Sequence, residues 1–197
     1  MLLHEKLADH RVILASASPR RRQLMEDAGL KFTLAQKFEC DESYPATLPA
    51  AEVAPYLSSL KSDACPEPMG EGDILVTADT TVVVDNRVLG KPADREDALE
   101  MLRAMSGRSH TVYTGVTLRS KERKQTFAVA TAVYFRQMGE DEIAYYVDNY
   151  RPYDKAGAYG IQEWIGCVAI ERIEGSFYNV MGLPIQRLYT ELLSFIG

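Results

Sequence analysis

The run DILVTADTTVVVDNRVL, residues 73–89, constrains this chain more than any other stretch. It is apolar and β-branched over most of its length, which reads as strand, and Asp85-Asn86 form a two-residue hairpin turn that divides it into two strands. Counting back from that turn, Val84 pairs with Arg87 and Val82 with Leu89, which carries Lys91 to the level of Thr80. Gly90 and Pro92 flank Lys91 and permit a bulge or break that brings it toward Asp79. Asp79 itself is out of place. Asp is depleted in strands, and a buried carboxylate is costly unless it is paired, hydrogen-bonded or bound to a cation. Either the strand breaks at Asp79 and the side chain is solvated, or Asp79 does chemistry. The apolar residues on both sides favour the second.

A second constraint follows downstream. Residues 109–119 and 124–137 are rich in Thr, Val, Tyr and Phe and are separated by RSKER, the pattern of a long antiparallel hairpin. Such a hairpin argues against a doubly wound parallel sheet, so the expected class is α/β with a mixed sheet. Helices are predicted over 19–28, 50–64 (with Pro55 troubling its first turn), 94–106 and 141–147, and a closing helix after Pro184 carries Ile185, Leu188, Tyr189, Leu192 and Leu193 on one face. A short strand is expected near Lys31–Ala35, and WIGCVAIERI and SFYNVM are read as strands. No repeat or linker-like segment divides the chain, which predicts one continuous domain over residues 1–197.

Charge and cysteine content narrow the chemistry. The net charge is −6 and the pI about 5.2, so no global basic field exists to hold nucleic acid or an anionic membrane, and any polyanion must be bound locally. The first residues, MLLHEKLADHRVIL, are broken by charges, and no stretch of about 18 apolar residues occurs. A cytoplasmic address is expected. Cys40, Cys65 and Cys167 are scattered, as are His4, His10 and His110, which fits neither a disulfide framework nor a His-ligated zinc site. Carboxylate chemistry is favoured instead.

The stretch ILASASPRRRQLMEDAGL, residues 13–30, points to the anion. Ser18 is a good N-cap and Pro19 suits the first helical position, with Leu24, Met25 and Ala28 as the apolar face and Gly29 as the stop. A helix N-terminus carries roughly half a positive charge and prefers acidic neighbours, yet this one meets Arg20, Arg21 and Arg22. A negative group is missing from the chain. Elsewhere, Asp41 and Glu42 lie in the polar loop KFECDESYPATLP and Lys61 on the helix of YLSSLKSDA, both ordinary in isolation. In YDKAGAYGIQEW, residues 153–164, small residues beside aromatics and a single amide allow two readings: backbone approaching a flat ligand, or a tight structural turn.

Six stretches taken together, LASASPRR, DES, ADTTVVVDNRVLGKP, SGRSHTVYTGV, YDKAGAYGIQ and GSFYNVMGLP, resemble the Maf family of nucleoside triphosphate pyrophosphatases, in its subgroup acting on dTTP and UTP. They span nearly the whole chain in the family's order. The resemblance implies two lobes around a deep nucleotide-binding cleft, a homodimer, and a divalent cation, Mg²⁺ or Mn²⁺. It places the motif serine and arginines on Ser16, Arg20 and Arg21, with Thr80 also on the substrate. The acidic residue after the first helix falls on Glu42, with Asp41 adjacent, and the strand aspartate on Asp79. The lysines fall on Lys61 and Lys91 and the base-side glutamine on Gln162. Glu42 and Asp79 are then the metal ligands, with Asp79 alternatively the general base; these residues leave that choice open. Leu60 stands where the family pattern suggests a charged residue, and Arg22 has no counterpart role. The implied reaction cuts a nucleoside triphosphate to the monophosphate and pyrophosphate. Two other classes are compatible with the same residues: a noncatalytic nucleotide-binding regulator of septum formation, and a metal-dependent phosphatase releasing the terminal phosphate.

Overall fold

The computed structural model describes residues 2–197. In chain order the elements are α1 (Leu3–Lys6), β1 (Arg11–Leu14), α2 (Pro19–Asp27), β2 (Thr33–Leu34), α3 (Ala50–Ala64), β3 (Asp73–Val84), β4 (Arg87–Leu89), α4 (Arg95–Met105), β5 (Ser109–Arg119), β6 (Lys124–Phe135), α5 (Glu140–Tyr150), α6 (Trp164–Ala169), β7 (Ile170–Glu174), α7 (Phe177–Met181) and α8 (Ile185–Ile196). The fold is α/β with a mixed seven-stranded sheet in the order β2-β1-β3-β5-β6-β7, β4 pairing β3. β1 lies parallel to β2 and β3, and the other pairings are antiparallel.

Local signals explain most of these elements. Ser18 caps α2 through a bond from the Arg21 amide, and Asp94 caps α4 through one from the Asp97 amide. Gly29 and Gly107, with φ of +68°, stop those two helices where expected. The β3–β4 register is Val82 with Leu89 and Val84 with Arg87, and Asp85 and Asn86 both take the positive φ that such a turn requires. The β5–β6 hairpin runs in register from Ser109–Tyr134 to Arg119–Lys124. β3 does not break at Asp79.

Two strand expectations are overturned. Residues 164–169 of WIGCVAIERI form α6 and only 170–174 extend as β7, while most of SFYNVM is helical as α7. Short apolar runs carry no decisive period. In α7 the Ser176 hydroxyl accepts from the Asn179 amide, and Gly182 ends the turn in the left-handed region. The strand expected at Lys31–Ala35 shrinks to Thr33–Leu34, and α1 had no sequence signal strong enough to place it.

Two of the three apolar clusters that β3 enters follow one another along it. Ile74, Val76 and Ala78 pack with β1, α2 and α8, whereas Val82 and Val84 pack with α4, α5 and β6. The changeover falls at Asp79 and Thr80. Beyond β5, the open edge of β3 is paired with β1 over Asp73–Ile74–Leu75–Val76 and with β4 over Val82–Val83–Val84. Between them, residues 77–81 have no strand partner on that side among the described residues. A polar pair is thereby set in a gap between two cores.

Candidate active site

The gap opens into a cavity of about 750 Å³ lined by residues of the 15–18 connection after β1, α2, the 34–44 segment, α3, β3, β4 and the 154–162 and 180–182 segments. Ser16, Arg20, Arg21, Glu42, Lys61, Asp79, Thr80, Lys91 and Gln162 all line it. One cavity thus brings together residues drawn from the first fifth to the last fifth of the chain.

Its carboxylate end is built by a glycine. Asp79 pairs with Gly115 across β3 and β5, so the two Cβ positions lie side by side on one face. A Cβ on Gly115 would lie 2.3 Å from the Pro55 backbone, which is why α3 can press directly on the sheet there. Pro55 sits inside α3 without breaking it, and Thr77 Oγ1 donates to the Ser58 carbonyl at 2.7 Å to hold the contact. Two turns along α3, Lys61 is carried over the strand. Its ammonium donates to Asp79 Oδ1 at 2.5 Å and lies 3.1 Å from Glu42 Oε2. Lys61, ordinary in sequence, is therefore the bridge between the two candidate carboxylates. Its side chain is 17% exposed and that of Asp79 11%, against 51% for Glu42, which arrives from the loop. Asp41, beside it, instead accepts from the Ser43 amide.

At the cationic end, Arg21 is held by neutral acceptors. Arg21 donates Nε to the Gly182 carbonyl at 2.7 Å, Nη2 to Thr80 Oγ1 at 3.1 Å and Nη1 to Ser16 Oγ at 3.4 Å. Burial pulls its guanidinium below the ordinary value; Arg20 pulls the same way, while Asp79 and Glu42 oppose. Arg20 donates Nε to the Met181 carbonyl and Nη1 to Asp154, both at 3.3 Å. The helix start carries no acidic residue in its first turn.

At the third wall, the second of the two readings of residues 153–164 holds for Gly157. Gly157, at φ +68°, packs against Val82, where a Cβ would come within 2.9 Å, and its amide donates to the Gly90 carbonyl at 3.0 Å. The small residues there serve a tight turn on the core. Tyr159 is turned away from Gln162 toward buried His110, whose Nε2 lies 2.7 Å from the phenol oxygen. Burial drops His110 to about 4 and pushes the Tyr159 phenol well up. Gln162 stands exposed at the rim. Lys91 is exposed there too, with no ion pair among the described residues; the β4 ladder ends at Leu89, so no bulge draws it to Asp79.

Sequence reading misses Asp154, Lys155 and Glu163. Lys155, buried in the cavity wall, binds Asp154 at 2.8 Å and Glu163 at 3.1 Å, and Tyr146 donates to Glu163. Only the motif context of YDKAGAYGIQ offered a signal, since charged residues in such a loop are usually solvated.

Among the described residues, no group of three or more His, Cys, Asp or Glu is placed to hold an ion by itself. Asp79 and Glu42 nonetheless suit a hard cation that takes one or two carboxylates and completes its shell with water and phosphate oxygens. No helix is long and apolar enough to cross a membrane among the described residues.

Comparison with known proteins agrees with the reading of the motifs. The chain is 53% identical to a dTTP/UTP pyrophosphatase of Bacteroides thetaiotaomicron, over 94% of this chain and 96% of that protein. It is 47% identical to a dTTP/UTP pyrophosphatase of Parabacteroides distasonis, over 97% and 99%. A solved structure of a HAM1 protein from Coxiella burnetii superposes with a TM-score of 0.47 at 17% identity, covering 94% of this chain and 99% of that one. The family model described as Maf-like protein matches residues 11–195, and with relatives this similar over nearly their full length, the chain belongs to the Maf family.

Proposed function

We propose that this protein hydrolyses nucleoside triphosphates, dTTP and UTP in preference, between the α and β phosphates to give the nucleoside monophosphate and pyrophosphate. The observation that carries this is the meeting, in one cavity, of an arginine-bearing helix start and a carboxylate pair bridged by Lys61. The relatives' names supply the nucleotide class.

The first turn of α2 offers free N–H groups and the positive end of the helix dipole, and Arg20 and Arg21 add bidentate donors suited to phosphate. The triphosphate supplies the negative charge this helix start lacks. At the other end Asp79 orients a water against the α-phosphorus and takes up its proton as the new P–O bond forms and the α–β anhydride bond breaks. Lys61 holds Asp79 and Glu42 together against their mutual repulsion and, with Lys91 at the rim, stabilises the charge developing on pyrophosphate. In the alternative role of Asp79, it and Glu42 would hold a divalent cation, Mg²⁺ or Mn²⁺, which would supply neutralisation of phosphate charge and a more acidic bound water. Gln162 offers an NH₂ and a C=O to the carbonyl and N–H of uracil or thymine, in the segment that closes the cavity above β4. The same proposal takes the working form as a cytoplasmic homodimer; its three cysteines are unpaired, as a reducing compartment favours.

Product identity tests the proposal. The purified protein, incubated with a panel of NTPs and dNTPs and either Mg²⁺ or Mn²⁺, is expected to release pyrophosphate, fastest from UTP and dTTP. Orthophosphate as the product would identify a phosphatase instead. Tight nucleotide binding without turnover would identify a regulator.

A further inference from the structure

The segment GSFYNVMGLP, residues 175–184, contributes no side chain to the chemistry above, yet its backbone holds both arginines. The carbonyls of Met181 and Gly182 accept from Arg20 and Arg21. α7 has only five residues, too short to hold itself in place, so those carbonyls are only as well aimed as whatever anchors the turn. Ser176 ties the start of the turn to Thr131, and the anchor next to those carbonyls is Asn179. Its side chain is fully buried, and Nδ2 donates to the Val112 carbonyl at 3.1 Å and to Thr131 Oγ1 at 3.0 Å, tying α7 to β5 and β6.

A second path leads from Asn179 to the same guanidinium. Thr114 Oγ1 donates to the Asn179 carbonyl at 3.1 Å and lies 2.9 Å from Thr80 Oγ1, which is in turn 3.1 Å from Arg21 Nη2. A guanidinium has only donors, so Arg21 donates to Thr80, and Thr114 donates to the Asn179 carbonyl. The one Thr80 proton has two acceptors in reach, Thr114 Oγ1 at 2.9 Å and the Gly182 carbonyl at 3.4 Å, and both belong to these two paths. Bonds ordered head to tail polarise one another. Every acceptor in both paths is neutral. A carboxylate at the same position would hold Arg21 as firmly but would cancel the charge that a phosphate must meet.

We infer that Asn179 is a positioning residue for Arg21, fixing the Gly182 carbonyl directly and the Thr114–Thr80 hydroxyl pair through its own carbonyl, so that the guanidinium is aimed without being neutralised. This rests on the phosphate role proposed for Arg21. Thr80 belongs to the relay, its proton directed into the protein and not toward substrate.

Two variants test it, since Asn179→Asp risks the fold by placing a charge in a buried site. Thr114→Val is nearly isosteric and removes only the relay. Each is expected to lower kcat/KM for UTP about 10-fold, and to weaken binding of inorganic tripolyphosphate by about the same factor, while UMP affinity moves less than about twofold. In an Arg21→Lys background, Thr114→Val is expected to add no further loss, as required of residues acting through one group. A folded Thr114→Val protein with wild-type tripolyphosphate affinity would overturn the inference, as would equal weakening of UMP, or losses that simply add to those of Arg21→Lys. Because tripolyphosphate binding is read by calorimetry without turnover, a wild-type protein that releases no pyrophosphate would sink the proposed reaction while leaving the relay separately testable.

Discussion

The two ends of the cavity are built on opposite plans. At the cationic end, Arg21 is held by the Gly182 carbonyl and two hydroxyls, all neutral, so its charge is oriented and left unspent. At the other end, Asp79 and Glu42 converge on the Lys61 ammonium, so one of their two negative charges is already offset before any ligand arrives. The difference lies in the partners. Both groups line the cavity and both lose hydration, but Asp79, in the middle of a buried strand, is paired with an ammonium, whereas Arg21 is held by neutral acceptors at a wall that a phosphate can reach. Arg21, unlike Arg20 and Lys61, is thus a cation left available for a polyanion.

The sharpest way to break this contrast is at Asp79. Asp79→Asn keeps the shape but loses the charge, and kcat is expected to fall by about 10²-fold or more with the fold intact by circular dichroism. Near-normal turnover would mean the shielded end does no chemistry. Next, Lys61→Met leaves two carboxylates facing one another, and denaturant unfolding is expected to show a loss of about 3 kcal/mol. Adding Asp79→Asn to that variant is expected to return most of the loss; additive losses would show that Lys61 stabilises by packing alone.

Gln162 lies at neither end, which makes it a control on both. Gln162→Ala is expected to cost about 1–3 kcal/mol in transition-state binding of UTP and dTTP, read as kcat/KM, and to narrow their advantage over CTP and GTP. An unchanged preference order would remove the 153–162 segment from base recognition. The smallest effect expected is on stability at the cationic end. Arg21→Ala gives up three bonds to neutral acceptors but relieves an uncompensated charge at a helix start, so the ligand-free protein is expected to change by less than about 1 kcal/mol while triphosphate binding weakens. A drop as large as that of Lys61→Met would erase the distinction between the two ends.

Legibility in the sequence tracks the range of the interaction. The Ser18 and Asp94 caps, the Gly29 and Gly107 stops, the Asp85-Asn86 turn with its register, and the 109–137 hairpin are all settled within a few residues or by strict alternation, and all stand as read. Residues 164–169 and 177–181 read as strands in the sequence because short apolar runs have no period of their own; the second depends on the Ser176 cap and the left-handed Gly182, and the first has neither. Among site residues, Asp79 announced itself by sitting where an Asp should not. Lys61 did not, because a lysine on an amphipathic helix is unremarkable until the helix is docked.

What the sequence determined by itself, then, is chemistry of local origin: an arginine-loaded helix start, an aspartate inside a strand, a hairpin that forces a mixed sheet, and a succession of motifs shared with the Maf family. Which of those groups face one another was decided by tertiary structure. Gly115 leaves the space that lets α3 lie on the sheet and deliver Lys61 to Asp79, and Asn179 pins a five-residue helix so that its carbonyls meet the arginines. Glycine at 115 and asparagine at 179 carry no such message in one dimension. Their meaning is a distance between segments far apart in the chain, and only packing sets that distance.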